Sequence, residues 1–126
     1  MYLIDTSVFL EVLLIQEKRK ICKDFLDLNV GNLYISDFSL HSIGVILLRN
    51  KKEDIFQKFT TDVIPNIDII TLPKDSYKRL VETKIKFGLD FDDTYQYMVA
   101  KEYGLEIVTN DNHFKKVSGY ISVRFL

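Results

Sequence analysis

The chain opens on a short apolar run that stops on a carboxylate, Leu3-Ile4-Asp5, with two hydroxyl residues, Thr6 and Ser7, directly after it. A second apolar run, Val8 to Ile15, follows. This reads as a buried strand ending at Asp5 and a helix capped by Thr6 or Ser7. A charge at the end of an all-apolar strand lies near the interior, where an unpaired carboxylate is costly. In open α/β folds such strand ends are where ligands bind.

The same alternation runs through the chain. Ile21, Phe25, Leu26 and Leu28 mark the apolar stripe of a second helix, stopped near Gly31. Leu33 to Ser36 reads as a strand, and a helix from Asp37 or Phe38 to about Asn50 follows. Gly44 inside that helix costs about 1 kcal/mol against alanine, which points to close packing of another element. Ile55 to Ile64 suggests a short helix ending before Pro65, and Ile67 to Thr71 a third strand. Lys74 to Phe87 predicts a polar helix with Tyr77, Leu80, Val81 and Ile85 on one side, stopped by Gly88. Asp90 caps a helix running to about Tyr103, Leu105 to Thr109 is a fourth strand, and Tyr120 to Phe125 closes the chain as another. Strands alternating with helices define an α/β fold, with a mainly parallel sheet of four to five strands covered on both faces.

The 126 residues fit one domain, 1–126. With 47% hydrophobic residues there is enough apolar side chain to cover both faces of a sheet. The net charge of −1 gives no strong footprint for coating nucleic acid, although a local patch suffices for an enzyme. The single cysteine, Cys22, excludes an intrachain disulfide and suits a reducing, cytoplasmic setting with a buried thiol. The Val8–Ile15 run is too short to span a bilayer, so no membrane association is expected. There is no glycine-rich phosphate loop and no paired C-x-x-C.

Two more segments place acids at element ends. Asp90, Asp92 and Asp93 open a helix, and Asp111 ends the strand Ile107-Val108-Thr109. Asp90 and Asp93 also have the spacing of a capping pair, and Asp111 can cap the turn containing Phe114. Carboxylates gathered without basic partners repel one another unless a cation sits between them. Mg²⁺ and Mn²⁺ take such hard oxygen ligands. A phosphatase-like use of Asp5 as nucleophile ranks low, because no D-x-D is present.

Leu3-Ile4-Asp5-Thr6-Ser7, Gly88-Leu89-Asp90-Phe91-Asp92-Asp93-Thr94 and Ile107-Val108-Thr109-Asn110-Asp111 with Phe114 resemble, in order and separation, the three acidic segments of PIN-domain ribonucleases. The resemblance spans nearly the whole chain. It implies a three-layer α/β/α sandwich, an RNA substrate, and Asp5, Asp93 and Asp111 as catalytic and metal-binding residues for Mg²⁺ or Mn²⁺. Thr6 and Asn110 would orient carboxylates. Many of these proteins are toxins of VapBC toxin–antitoxin pairs, so an antitoxin partner is also implied. Apolar residues at 43–48 and 56–59 suit either a homodimer or the core.

One position departs from the family pattern. Where a glutamate usually stands, this chain has Ser42, beside His41. Asp37 or Asp92 could take its place. His41 could meet a phosphate, act in proton transfer, or serve as a structural side chain. His113 stands where the family often has a further acid. The alternative reading is a catalytically degenerate PIN-like binding module.

Overall fold

The central strands alternate their side chains between two layers of helix, and that alternation builds two separate cores. The computed structural model describes residues 1–126. Its strands are β1 (Tyr2–Ile4), β2 (Leu33–Ser36), β3 (Asp68–Ile70), β4 (Glu106–Thr109) and β5 (Val123–Phe125). They lie in the order β3-β2-β1-β4-β5. Every neighbouring pair is parallel. The helices are α1 (Thr6–Leu13), α2 (Arg19–Leu28), α3 (Asp37–Arg49), α4 (Glu53–Lys58), α5 (Leu80–Phe87) and α6 (Phe91–Tyr103). The expected three-layer α/β/α arrangement is present, with a wholly parallel sheet of five strands.

Adjacent residues of the central strands serve opposite layers. Leu3 and Ile107 pack with Leu80, Tyr97, Val99 and Phe114, on the α5–α6 side. Ile4 and Val108 pack with Val8, Phe9, Ile43 and Leu47, on the α1–α3 side. Strands buried on both faces explain why they are read as short apolar runs rather than as apolar–polar alternation. No helix is long and apolar enough to cross a membrane.

The order of strands reverses at β1. The chain leaves β1 for β2 on one side, and β4 returns to pair on the other. The crevice beyond the carboxyl ends of β1 and β4 is therefore the topological switch point. Asp5 stands at the end of β1 and Asp111 just after β4.

Several local expectations need correction. The N-cap of α1 is Asp5, not Thr6 or Ser7, and its side chain makes no capping bond. Ile15 lies outside α1, in left-handed backbone and largely exposed. On α2 only Cys22 is buried, while Ile21 and Leu28 face out. The segment after α4 widens into a π-helical turn at Phe59–Val63 before Pro65. Residues Lys74–Arg79 form 3₁₀ turns rather than the start of one long α-helix. Within α5, Leu80 and Phe87 stand seven residues apart and so share one face, while Val81 and Ile85 lie on another. Leu80, Thr83 and Phe87 turn inward on that helix, and Tyr77, Val81 and Ile85 are exposed.

Other local features stand as read. Gly88 and Gly104 end α5 and α6 in left-handed backbone, which glycine adopts without a Cβ penalty. A Cβ on Gly44 would sit 3.2 Å from Cζ of Phe56, so the absent side chain lets α4 close on α3.

Candidate metal centre

The strand ends bring the acids together. A cavity of about 330 Å³ is lined by Asp5, Thr6, Ser7, Ser42, Asp90, Asp92, Asp93, Gln96, Asp111 and His113, with Leu10, Phe38 and Ile46. None of these is a lysine or arginine.

Asp5 is buried and held by three donors. Gln96 Nε2 donates to its Oδ1 at 3.2 Å. Ser7 Oγ and Thr109 Oγ1 donate to its Oδ2 at 2.9 and 2.8 Å. Hydrogen bonds to an ionised acceptor are about twice as strong as neutral ones, so this carboxylate is firmly oriented. The anchors come from three elements: Ser7 from α1, Gln96 from α6, and Thr109 from the end of β4.

Gln96 is the hub behind Asp5. Its Nε2 also donates to Ser39 Oγ at 2.9 Å, and its Oε1 accepts from Ser36 Oγ at 2.7 Å. Ser36 Oγ in turn accepts from the main-chain N–H of Ser39, capping α3. Thr6 Oγ1 donates to Ser39 Oγ at 2.9 Å, so Thr6 reaches Asp5 only through this network. Gln96→Leu keeps the volume and leaves the Ser36 and Ser39 hydroxyls and Asp5 short of partners. Urea unfolding is expected to show a loss of about 1–3 kcal/mol, the usual cost of a stranded buried polar group. An unchanged midpoint would mean that the network contributes nothing.

Asp93 enters from α6. Asp90 caps that helix, its Oδ1 accepting from the Asp93 N–H at 2.9 Å. Asp93 is buried, and burial, together with Asp90, Asp111 and Asp5 nearby, pushes its carboxyl from 3.8 up to about 7, with His113 partly opposing. Asp92 is exposed, yet burial of its carboxyl and then the charges of Asp90 and Asp5 raise its pKa too. An acid that cannot shed its proton easily is the mark of a site short of positive charge.

Asp111 caps the turn after β4, its Oδ1 accepting from the His113 N–H at 2.8 Å. That turn folds the His113 ring back over the acids. Its Nδ1 lies 3.3 Å from both Asp93 Oδ2 and Asp111 Oδ1. One ligand atom each from Asp93, Asp111 and His113 lie within 4.8 Å of one another, a set that can hold a metal ion. Asp5 lines the same cavity and lies outside that tight set.

Three readings of single residues are revised. Asn110 does not face the acids: its Nδ2 donates to Cys22 Sγ at 3.3 Å, and only its main-chain N–H joins the site, through Ser7 Oγ. Asp37 is engaged elsewhere, accepting from Tyr95 OH at 2.6 Å and from the Phe38 N–H, and it does not line the cavity. His41 is exposed, lines an apolar groove with Leu40, Val45, Leu48 and Phe56, and is not among the residues that line the acidic cavity. Ser42 does line the cavity. Ser7, Gln96 and Thr109 emerge as supports of the site only from the fold. Ser7 is two residues past Asp5, Gln96 one turn past Asp93 and Thr109 two before Asp111, but that spacing does not by itself single them out.

The parallel five-stranded sandwich with an acidic crevice at its switch point defines a class of α/β protein. The PIN domain model matches residues 2–120, so the chain belongs to the PIN-domain family. The comparison with curated proteins found no significant match. Among solved structures, the chain is similar to the sarcin–ricin-loop-cleaving toxin VapC20 of Mycobacterium tuberculosis (TM-score 0.81, 15% identity, 98% of this chain and 99% of that one). It is also similar to VapBC2 of Rickettsia felis bound to a promoter DNA fragment (TM-score 0.80, 17% identity, 98% and 97%). A third is a toxin–antitoxin complex from Klebsiella pneumoniae (TM-score 0.76, 20% identity, 98% and 95%). At these identities the likeness is one of fold.

Proposed function

We propose that this protein is a metal-dependent endoribonuclease that hydrolyses RNA phosphodiester bonds, with Asp5, Asp93 and Asp111 holding Mg²⁺ or Mn²⁺. The observation that carries this reading is the cavity itself, where acids from β1, α6 and the end of β4 meet with no lysine or arginine among them. The elevated pKa of Asp93 supports it, because a cation would remove the repulsion that burial and neighbouring acids impose. A divalent cation supplies Lewis-acid stabilisation of the phosphate and a lowered pKa for the attacking water. The protein's own contribution is orientation. Gln96, Ser7 and Thr109 fix Asp5, and the cap at Asp90 fixes Asp93.

The fold neighbours that are toxin–antitoxin complexes support a VapC-type toxin with an antitoxin partner. The proposal places it in the cytoplasm, the reducing setting that a free, buried Cys22 suits. A homodimer belongs to the same proposal. On α3, Ile43 and Leu47 are consumed by the core, whereas Val45 and Leu48 stay exposed and available. Sedimentation of the purified chain tests that part.

The purified protein is expected to cut single-stranded RNA with Mn²⁺ or Mg²⁺, to stop with a chelator, and to recover when the metal is restored. Cleavage that persists in chelator, or that disappears on further purification, would overturn the assignment. A second reading rests on Ser42, a neutral hydroxyl facing the acids where the family resemblance leads one to expect a glutamate. It is a PIN-like module that binds a partner without cutting. Calorimetric titration separates the two: the nuclease binds Mn²⁺ and the module does not.

A further inference from the structure

We propose that His113 is itself a metal ligand, and that its ring nitrogen tilts the site toward Mn²⁺ over Mg²⁺. This rests on the reading of Asp93 and Asp111 as ligands and adds the residue that sets ion preference.

The geometry is that of neighbouring ligands. His113 Nδ1 stands 3.3 Å from one oxygen of each acid. Two ligands at right angles, each about 2.1 Å from a small divalent ion, are about 3 Å apart. A charge-assisted hydrogen bond would instead be about 2.7–2.9 Å, and one ring nitrogen carries at most one proton for two oxygens. The position is not incidental. The main-chain N–H of His113 donates to Asp111 Oδ1, so the capping turn that aims the acid also aims the ring. Phe114, fully buried, pins the next residue of that turn. The His113 side chain is 65% exposed, so its other nitrogen can keep its proton in water while Nδ1 offers a lone pair.

The donor set then decides between ions. Magnesium prefers oxygen and surrenders its waters reluctantly. Imidazole suits transition metals, and affinity rises from manganese toward copper along the first row. A site of two carboxylates and one imidazole therefore gains more with Mn²⁺ than an all-carboxylate site does. Ser42 reinforces this, since it brings no further anion to the cavity.

The test is spectroscopic. Mn²⁺ bound to the wild-type protein is expected to show ¹⁴N modulation in pulsed electron paramagnetic resonance, and His113→Ala to lose it. Titration should show Mn²⁺ binding weakened by about tenfold or more in that variant, within the range expected for a lost metal-site partner, with Mg²⁺ affected far less. His113→Asp should lose the ¹⁴N signal and shift preference back toward Mg²⁺. The exposed position and the retained main-chain N–H keep both variants folded. Bound Mn²⁺ without ¹⁴N modulation, or equal weakening of both ions, overturns this inference and leaves the nuclease reading standing. Failure of the wild type to bind Mn²⁺ at all overturns both.

Discussion

Asparagine at position 93 is expected to abolish RNA cleavage and to stabilise the metal-free protein, whereas asparagine at position 5 abolishes cleavage at a cost in stability. Both changes remove a charge from the cavity, yet the two carboxylates have opposite relations to the fold. Asp93 is buried beside other acids and titrates near 7 in the folded chain, against an ordinary value of 3.8. Its proton is therefore held more tightly folded than unfolded. Between about pH 4 and pH 7 the folded state carries the extra proton, so stability falls as pH rises through that window. Above it the charged form is a standing penalty, which Asp93→Asn removes. The expected gain at pH 8 is about 1–2 kcal/mol after allowing for solvent screening of the site. Asp5 is different, because three donors point at it. Asn offers one oxygen and one amide where all three need acceptors, and the charge assistance is lost. The expected cost is about 1–2 kcal/mol. Thermal melts at about pH 4 and pH 8 check the pair: the difference between the wild type and Asp93→Asn should be smallest at the lower pH, near the unfolded value of 3.8, and largest at the higher. Adding Mn²⁺ should stabilise the wild type and leave Asp93→Asn unmoved. If Asp93→Asn melts lower than wild type at pH 8, the acids do not repel as described.

These contrasts explain what the sequence could and could not disclose. Asp5 was legible because an acid at the end of an apolar strand has no bland place to go. Asp93 and Asp111 were legible as members of a pattern, although each also caps its own helix or turn. Capping and convergence proved to be the same thing, since each cap sets the direction of a cavity side chain. The support behind Asp5 was not legible. Gln96 and Ser39 lie 57 positions apart, and Thr109 and Asp5 lie 104 apart, so only the folded sheet brings them into contact. Asn110 misled because the neighbour of a site acid in sequence can turn its side chain elsewhere, here toward Cys22. On α5 the apolar stripe misled for another reason. The sequence puts Leu80 in one stripe with Val81 and Ile85, but Leu80 and Phe87, two turns apart, take the core side and leave Val81 and Ile85 outside.

Phe114→Ala is expected to be among the most damaging single changes to stability, and to weaken metal binding beyond what the lost stability explains. The ring is fully buried in the core that also holds Leu3, Leu89, Tyr97, Ile107 and Val117. Truncating a buried phenylalanine costs about 3–5 kcal/mol, because the lost transfer energy and the cavity left behind add. Against a usual total of about 5–15 kcal/mol, that is a large fraction. Phe114 follows His113 directly, and its N–H donates to the Asp111 carbonyl at 3.3 Å, so the ring anchors the turn that carries both side chains to the cavity. Val117→Ala supplies the control. Val117 is equally buried in the same core, at the far end of that turn, and its loss costs packing without releasing residues 111–113. Both variants should be compared well below their melting temperatures, by urea unfolding and by Mn²⁺ titration. Weaker Mn²⁺ binding in Phe114→Ala alone is the expected result. Equal binding in the two would reduce Phe114 to a packing residue, and a stability loss under about 1 kcal/mol would contradict its place in the core.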